Sequence, residues 1–163
     1  MPINEIERRG FIKVYGKSVN KLTTDIAIFP VASIDKELRI KPYRITALWD
    51  TGATISAIKP HIMNQLKLQM SRTHSTKKIA GIGGLVTADF TFINLQLSYN
   101  FFIEYCPVYV IDLPCTADMI VGMDLIGMGD FAICNTDNKT SFTFAIPPFP
   151  NRLDFAGKIA KDQ

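Results

Sequence analysis

A mostly-β domain is the fold class this sequence predicts, and three observations predict it. Short β-prone runs recur along the chain and are separated by turn residues. The turns carry the residues that turns need, as in Gly81-Ile82-Gly83-Gly84 and Asp137-Asn138. Helical character is confined to two brief stretches, one after Pro60 and one near Asp124.

Taken in order, residues 24 to 34 alternate loosely and read as a strand, with Pro30 marking an edge or a bulge. Asp35-Lys36-Glu37 is a polar turn. A second strand climbs from Tyr43 to Trp49 and runs straight into Asp50-Thr51-Gly52. Lys59-Pro60 followed by Ile62, Met63, Leu66 and Leu68 predicts a short helix, because proline suits a first helical turn. Strand character returns from Leu85 to Leu97 and from Phe101 to Asp112, where Pro114 ends it. Met119-Ile120-Val121 is a short apolar run closed by Gly122. A brief helix or turn at Asp124 to Met128, a strand at Phe131 to Cys134, a turn and a last strand from Ser141 to Ile146 complete the pattern. The expected organisation is an N-terminal extension over 1–20, one domain over 21–148 and a C-terminal tail over 149–163.

With 163 residues, 47% of them hydrophobic, the chain can bury a core without staples. Charged residues are 20% and dispersed, which argues against wholesale disorder. The net charge of +3 is mildly basic, but Arg8-Arg9 and Lys77-Lys78 are only doublets, so no nucleic-acid partner is expected. Three cysteines, Cys106, Cys115 and Cys134, give no paired spacing and fit buried or free thiols. His61 and His74 form no ligand pattern with them, so neither metal nor other cofactor is expected. The polar start Met-Pro-Ile-Asn-Glu is unlike a secretory signal, and no apolar run reaches the roughly 20 residues of a membrane span. A cytoplasmic protein without a membrane partner is the expectation.

Asp50 is the residue with the clearest chemical potential. A carboxylate directly after an apolar strand, followed by a small hydroxyl residue and glycine, sits on a tight loop with close backbone approach. Leu48, Trp49, Ala53 and Ile55 around it would lower the local dielectric, which suits proton transfer. The triplet alone also describes an ordinary turn at a strand end, so its context decides. An apolar strand, Asp50-Thr51-Gly52-Ala53, a helix-like segment, a glycine-rich turn between strands and then Ile120-Val121-Gly122 resembles the retropepsins, the retroviral-type aspartic proteases. The continuation Gly122-Met123-Asp124-Leu125-Ile126 looks closer to cellular and bacterial members than to viral ones. The resemblance spans about residues 24 to 146.

That resemblance implies a closed β-barrel of the acid protease type with one or two short helices, assembled as a symmetric homodimer. It implies Asp50 as the catalytic acid/base and Thr51 as a brace to the partner subunit. Gly52 would permit the turn and aim its N–H at the carboxylates, with Ala53 completing the loop. Gly81, Ile82, Gly83 and Gly84 would form the tip of a flap over substrate, and Ile120, Val121 and Gly122 would support the site from beneath. Viral relatives carry an acidic residue just after Asp-Thr-Gly-Ala and an arginine just after the apolar-apolar-glycine triplet. Here those positions hold Thr54 and Met123, so both charges are absent together, which reads as a different packing solution.

The chemistry of the family needs two carboxylates sharing a proton. This chain has one Asp-Thr-Gly, and Gly129-Asp130-Phe131 is no substitute because its Asp lacks the Thr-Gly loop. A homodimer would supply the second carboxylate on its two-fold axis. The expected function is therefore an aspartic endopeptidase acting on an extended polypeptide. The alternative is a catalytically silent dimerisation or peptide-binding module with the same fold.

Overall fold

Side-chain alternation decides which way each strand faces, and it is clear in the strand leading to Asp50. The computed structural model describes residues 7–31, 41–70, 77–81 and 84–151. Strand β3 (Tyr43–Trp49) buries Ile45, Ala47 and Trp49 and leaves Arg44 exposed, with Thr46 and Leu48 less deeply covered than the buried set. It pairs antiparallel with β2 (Leu22–Pro30), whose Ile26, Ala27 and Ile28 enter the core. Pro30 is the last residue of β2, a strand end where the missing N–H costs least.

Beyond Asp50 come β4 (Ala57–Ile58), helix α1 (Pro60–Leu66) and strands β5 (Lys77–Gly81), β6 (Gly84–Ser98), β7 (Phe101–Val110) and β8 (Met119–Val121). The order β2-β3-β8-β4-β7-β6, closed by pairing of β6 back onto β2, makes a six-stranded barrel. This is the closed β-barrel with two short helices that the resemblance implies. Strand β6 does double duty. Its first residues pair with β5 as a hairpin, and Asp89 onward pairs with β7 in the barrel wall. Helix α1 starts on Pro60, buries Ile62 and stops at Lys67 in the left-handed region, φ 51°.

Helix α2 (Met123–Ile126) then leads to a hairpin, β9 (Asp130–Thr136) and β10 (Lys139–Ile146). Asp137 and Asn138, both with positive φ, form its two-residue turn, the geometry that matches strand twist. A further strand, β1 (Arg9–Val14), flanks β10 to give a three-stranded sheet in the order β1-β10-β9. The N-terminal extension expected over 1–20 thus contributes a strand in its described part. Phe11 is the reason: it packs on Trp49, Phe101 and Phe142 with ring centroids 5.6 to 6.5 Å apart, a non-local gain that weak local alternation does not signal. Arg8 closes this end by pairing with Asp130 and lying over the Phe149 ring. Residues 152–163 of the expected tail lie outside the described residues.

Strand β4 was likewise not expected, whereas β5 and β6 flank the glycine-rich turn as the two strands expected on either side of it. Strand β4 is two residues long and exists because β7 and β8 flank it. The expected run to Asp112 ends at Val110, and the strand expected over 24–34 occupies Leu22–Pro30, its 32–34 portion lying outside the described residues.

Cys106 sits in the barrel core, 2% exposed. Burial pushes its thiol from 9.0 to about 12, and the nearby Asp124 charge adds to the rise. The protonated thiol is the form the fold accommodates, so this contribution to stability is complete below pH 9.0 and is lost as pH climbs toward 12. Denaturant melts from pH 8 to 11 should therefore show a steeper alkaline loss of stability in the wild type than in Cys106→Ala; parallel curves would contradict this assignment.

Candidate active site

Strands β3 and β4 are joined by residues 50–56 yet are not neighbours; β8 lies between them, parallel to β3 and antiparallel to β4. The connecting loop must therefore cross over the end of β8, which is where Asp50 sits. Its N–H continues the β3–β8 ladder by donating to the Val121 carbonyl at 3.0 Å. The carboxylate oxygen Oδ1 accepts the Gly52 N–H at 2.8 Å, and the Ala53 N–H closes the turn on the Asp50 carbonyl at 3.1 Å. The loop thus holds its own carboxylate by a local bond two residues on. Thr51 is exposed beside it.

Trp49 anchors the loop from below. Its Nε1–H donates to Thr24 Oγ1 at 2.9 Å, and its ring stacks on Phe131 and meets Phe142 and Phe144 at centroid distances of 5.0 to 5.9 Å. The barrel and the three-stranded sheet are joined at this residue, directly before Asp50. Leu48, Trp49, Asp50 and Thr51 border a cavity of about 430 Å³. Lys21, Leu22, Phe131, Ile133 and Asn135 line its walls. Among the described residues, Asp50 is the one carboxylate that lines it. A cavity of about 490 Å³ between Pro30, Leu68 and Phe92 lies apart from Asp50, and among the described residues no carboxylate lines it.

The other end of the loop rests on Gly122. A β-carbon at this position would lie 2.5 Å from the carbonyl carbon and oxygen of Ile55, so only glycine lets the two backbones pass. The Met123 N–H donates to the Ala53 carbonyl at 2.8 Å, tying α2 to the same loop. Ser56 and Asp124 complete the tie. Asp124 accepts the Ser56 hydroxyl at 2.6 Å and the Ser56 N–H at 2.8 Å, while Ser56 Oγ accepts the Gly122 N–H at 3.0 Å.

Thr54 and Met123 are both exposed, and the Ser56–Asp124 link joins loop to helix in place of the charged pair that those positions lack. No local pattern in the sequence connects these two residues, which are 68 positions apart. Ser56→Ala would leave the buried Gly122 N–H without its partner and remove one of the two hydrogen bonds from Ser56 to Asp124, whose Oδ1 would keep the Leu125 N–H. The expected cost is about 1–3 kcal/mol, read as a lower denaturation midpoint with an unchanged slope; an unaltered midpoint would show the link to be dispensable.

Gly81 pairs with Gly84 where β5 and β6 meet, and Ile82 and Gly83, the other two residues of the expected flap tip, lie outside the described residues. Ile120 and Val121 pair with Leu48 and Trp49, immediately beneath the loop. Among the described residues no group of three or more His, Cys, Asp or Glu side chains is placed to hold a metal ion, and no helix is long and apolar enough to cross a membrane.

Comparison with known proteins gives one family match: a model described as aspartyl protease covers residues 37–125, more than half of the chain. No curated protein matches the sequence. Among solved structures, the chain is similar to the EIAV protease complexed with the inhibitor HBY-793, with 25% identity over 68% of this chain and 91% of that one, TM-score 0.48. It is also similar to a retropepsin-like aspartic protease from Rickettsia conorii, with 14% identity over 85% and 95% of the two chains, TM-score 0.47. A third is the retroviral protease-like domain of Ddi1 from Leishmania major, with 15% identity over 77% and 95%, TM-score 0.44.

Proposed function

The chain belongs to the aspartyl protease family, and from that premise we propose that it is an aspartic endopeptidase that works as a symmetric homodimer, with Asp50 of each subunit as a catalytic carboxylate. The observation that carries this reading is the position of Asp50: the one carboxylate among the described residues lining its cavity, on a loop fastened at both ends. A single carboxylate cannot both accept a proton from water and donate one to the substrate. Two placed together share one proton, because like charges so close do not both ionise.

In the assembled dimer the ionised carboxylate takes a proton from the attacking water, whose oxygen adds to the scissile carbonyl carbon. The protonated carboxyl hydrogen-bonds the carbonyl oxygen and stabilises the charge that develops there. A proton then passes to the leaving nitrogen as the C–N bond breaks. Thr51, exposed on the loop, braces it against the partner, and the Gly52 N–H orients the carboxylate. Gly81 to Gly84 form the flap tip over an extended polypeptide, which pairs its backbone with the hairpin above and the cleft floor below. Ile120, Val121 and Gly122 support the loop without taking part in the chemistry.

The domain assignment that goes with this reading is a catalytic unit over 21–148 to which β1 is docked. The test is incubation of the full chain with an unbiased peptide library over roughly pH 3 to 8, a range spanning titration of a shared-proton pair. The Asp50→Asn protein serves as the control. Cleavage by the wild type alone supports the reading, and equal cleavage by both proteins removes Asp50 from the mechanism.

A further inference from the structure

We propose that Lys21 is a specificity residue of the Asp50 site, selecting polypeptide substrates that carry an aspartate or glutamate side chain close to the scissile bond. The inference rests on the endopeptidase reading above and names the class of substrate that reading leaves open.

Three observations carry it. The first is place. Leu22 opens β2 and pairs with Trp49, the last residue of β3, so the next residue outward is Lys21 on one side and Asp50 on the other. Both border the cavity of about 430 Å³. An extended peptide advances roughly 3.3 Å per residue, so a chain reacting at Asp50 carries a side chain past Lys21 within about three residues of the scissile bond.

The second observation is anchoring. The Val19 N–H donates to Thr140 Oγ1 at 3.1 Å. The Tyr15 hydroxyl accepts the Thr23 N–H at 2.7 Å and donates to the Thr23 carbonyl at 2.8 Å. These bonds hold the backbone on both sides of Lys21, while the residue itself is exposed. The ammonium therefore rides on a flexible four-carbon stem whose base is fixed beside the site.

The third is charge. Among the described residues, Lys21 is the one cation lining the cavity and Asp50 the one anion, and neither forms an ion pair. The rest of the 50–56 loop is uncharged, so it offers Lys21 no carboxylate besides the one that reacts. A substrate carboxylate entering the cavity meets an ammonium without another partner, in a place the bound peptide shields from water. A neutral amide of the same shape gains only an ordinary hydrogen bond there. A substrate lysine or arginine is repelled.

The test compares peptides that differ only in glutamate or glutamine at single positions flanking one cleaved bond. At one such position the wild type should cleave the glutamate peptide with kcat/KM about tenfold higher, the difference lying mainly in KM. Lys21→Met keeps the stem without the charge and should bring that ratio to about one. Lys21→Glu should turn the preference toward a lysine peptide. Raising salt from roughly 0.05 to 0.5 M should shrink the wild-type ratio, a reading that needs no variant. A merely structural residue would lower all rates together and leave the ratio where it was. A wild type without the glutamate preference, or a folded Lys21→Met protein that keeps it, overturns the role of Lys21 while leaving the endopeptidase reading intact. A wild type that cleaves no peptide overturns both.

Discussion

Asp50→Asn should reduce peptide cleavage by on the order of 10⁴-fold or more, the scale seen when a residue that performs the proton transfers is removed. The fold and the dimer should be unaffected, and the site geometry explains why. The Asp50 side-chain oxygen that accepts the Gly52 N–H at 2.8 Å has a counterpart in asparagine, so the turn keeps its bond. Asn also leaves the Asp50 backbone bonds to Val121 and Ala53 untouched. What it removes is the capacity to ionise and to carry the shared proton. Sedimentation alongside the cleavage assay separates the outcomes. A folded, dimeric and inactive variant beside an active wild type supports the carboxylate role. A wild type that dimerises but cleaves nothing across the pH range favours the silent binding module instead.

Gly122→Ala should destabilise the protein by about 2–4 kcal/mol, as forced overpacking of a buried contact does, with Tm lowered by roughly 10 °C. The added β-carbon would lie 2.5 Å from the Ile55 carbonyl, and neither partner is the far end of a flexible side chain. Relief requires the 50–56 loop and the start of α2 to separate. That motion strains the bond from the Met123 N–H to Ala53 and the bond from the Gly122 N–H to Ser56 Oγ. Activity should therefore fall further than the folded fraction does, because the loop that separates is the one carrying Asp50. Gly16→Ala is the matched control, since nothing lies within 4 Å of a β-carbon built there. It should change stability by less than about 0.5 kcal/mol. Equal effects at the two positions would show that close packing at Gly122 is not what demands glycine. The single tryptophan, Trp49, stacked at the junction of barrel and sheet, provides the fluorescence signal for both melts.

Legibility in the sequence followed the range of the forces involved. Strand β3 was readable to the residue because its β-prone run is local and ends at Trp49, directly before Asp50. The β9–β10 hairpin was readable because Asp137 and Asn138 tolerate the positive φ a tight turn needs. Strand β1 was not readable, since what holds it is Phe11 meeting an aromatic cluster drawn from distant segments. Strand β4 could not be read at all, because two residues carry no period and its partners come from β7 and β8.

The sequence by itself determined the chemical candidate and its frame: one Asp-Thr-Gly-Ala after an apolar strand, a glycine-rich hairpin, and Ile120-Val121-Gly122 downstream. These are short-range properties, set by side-chain type and neighbour order. The tertiary structure decided how the candidate is held. It put β8 between β3 and β4, made glycine obligatory at 122, and tied Ser56 to Asp124 across 68 positions. The reason is physical: chain crossings and buried polar partners depend on which segments meet in space, and a linear pattern carries that only where the partners are neighbours.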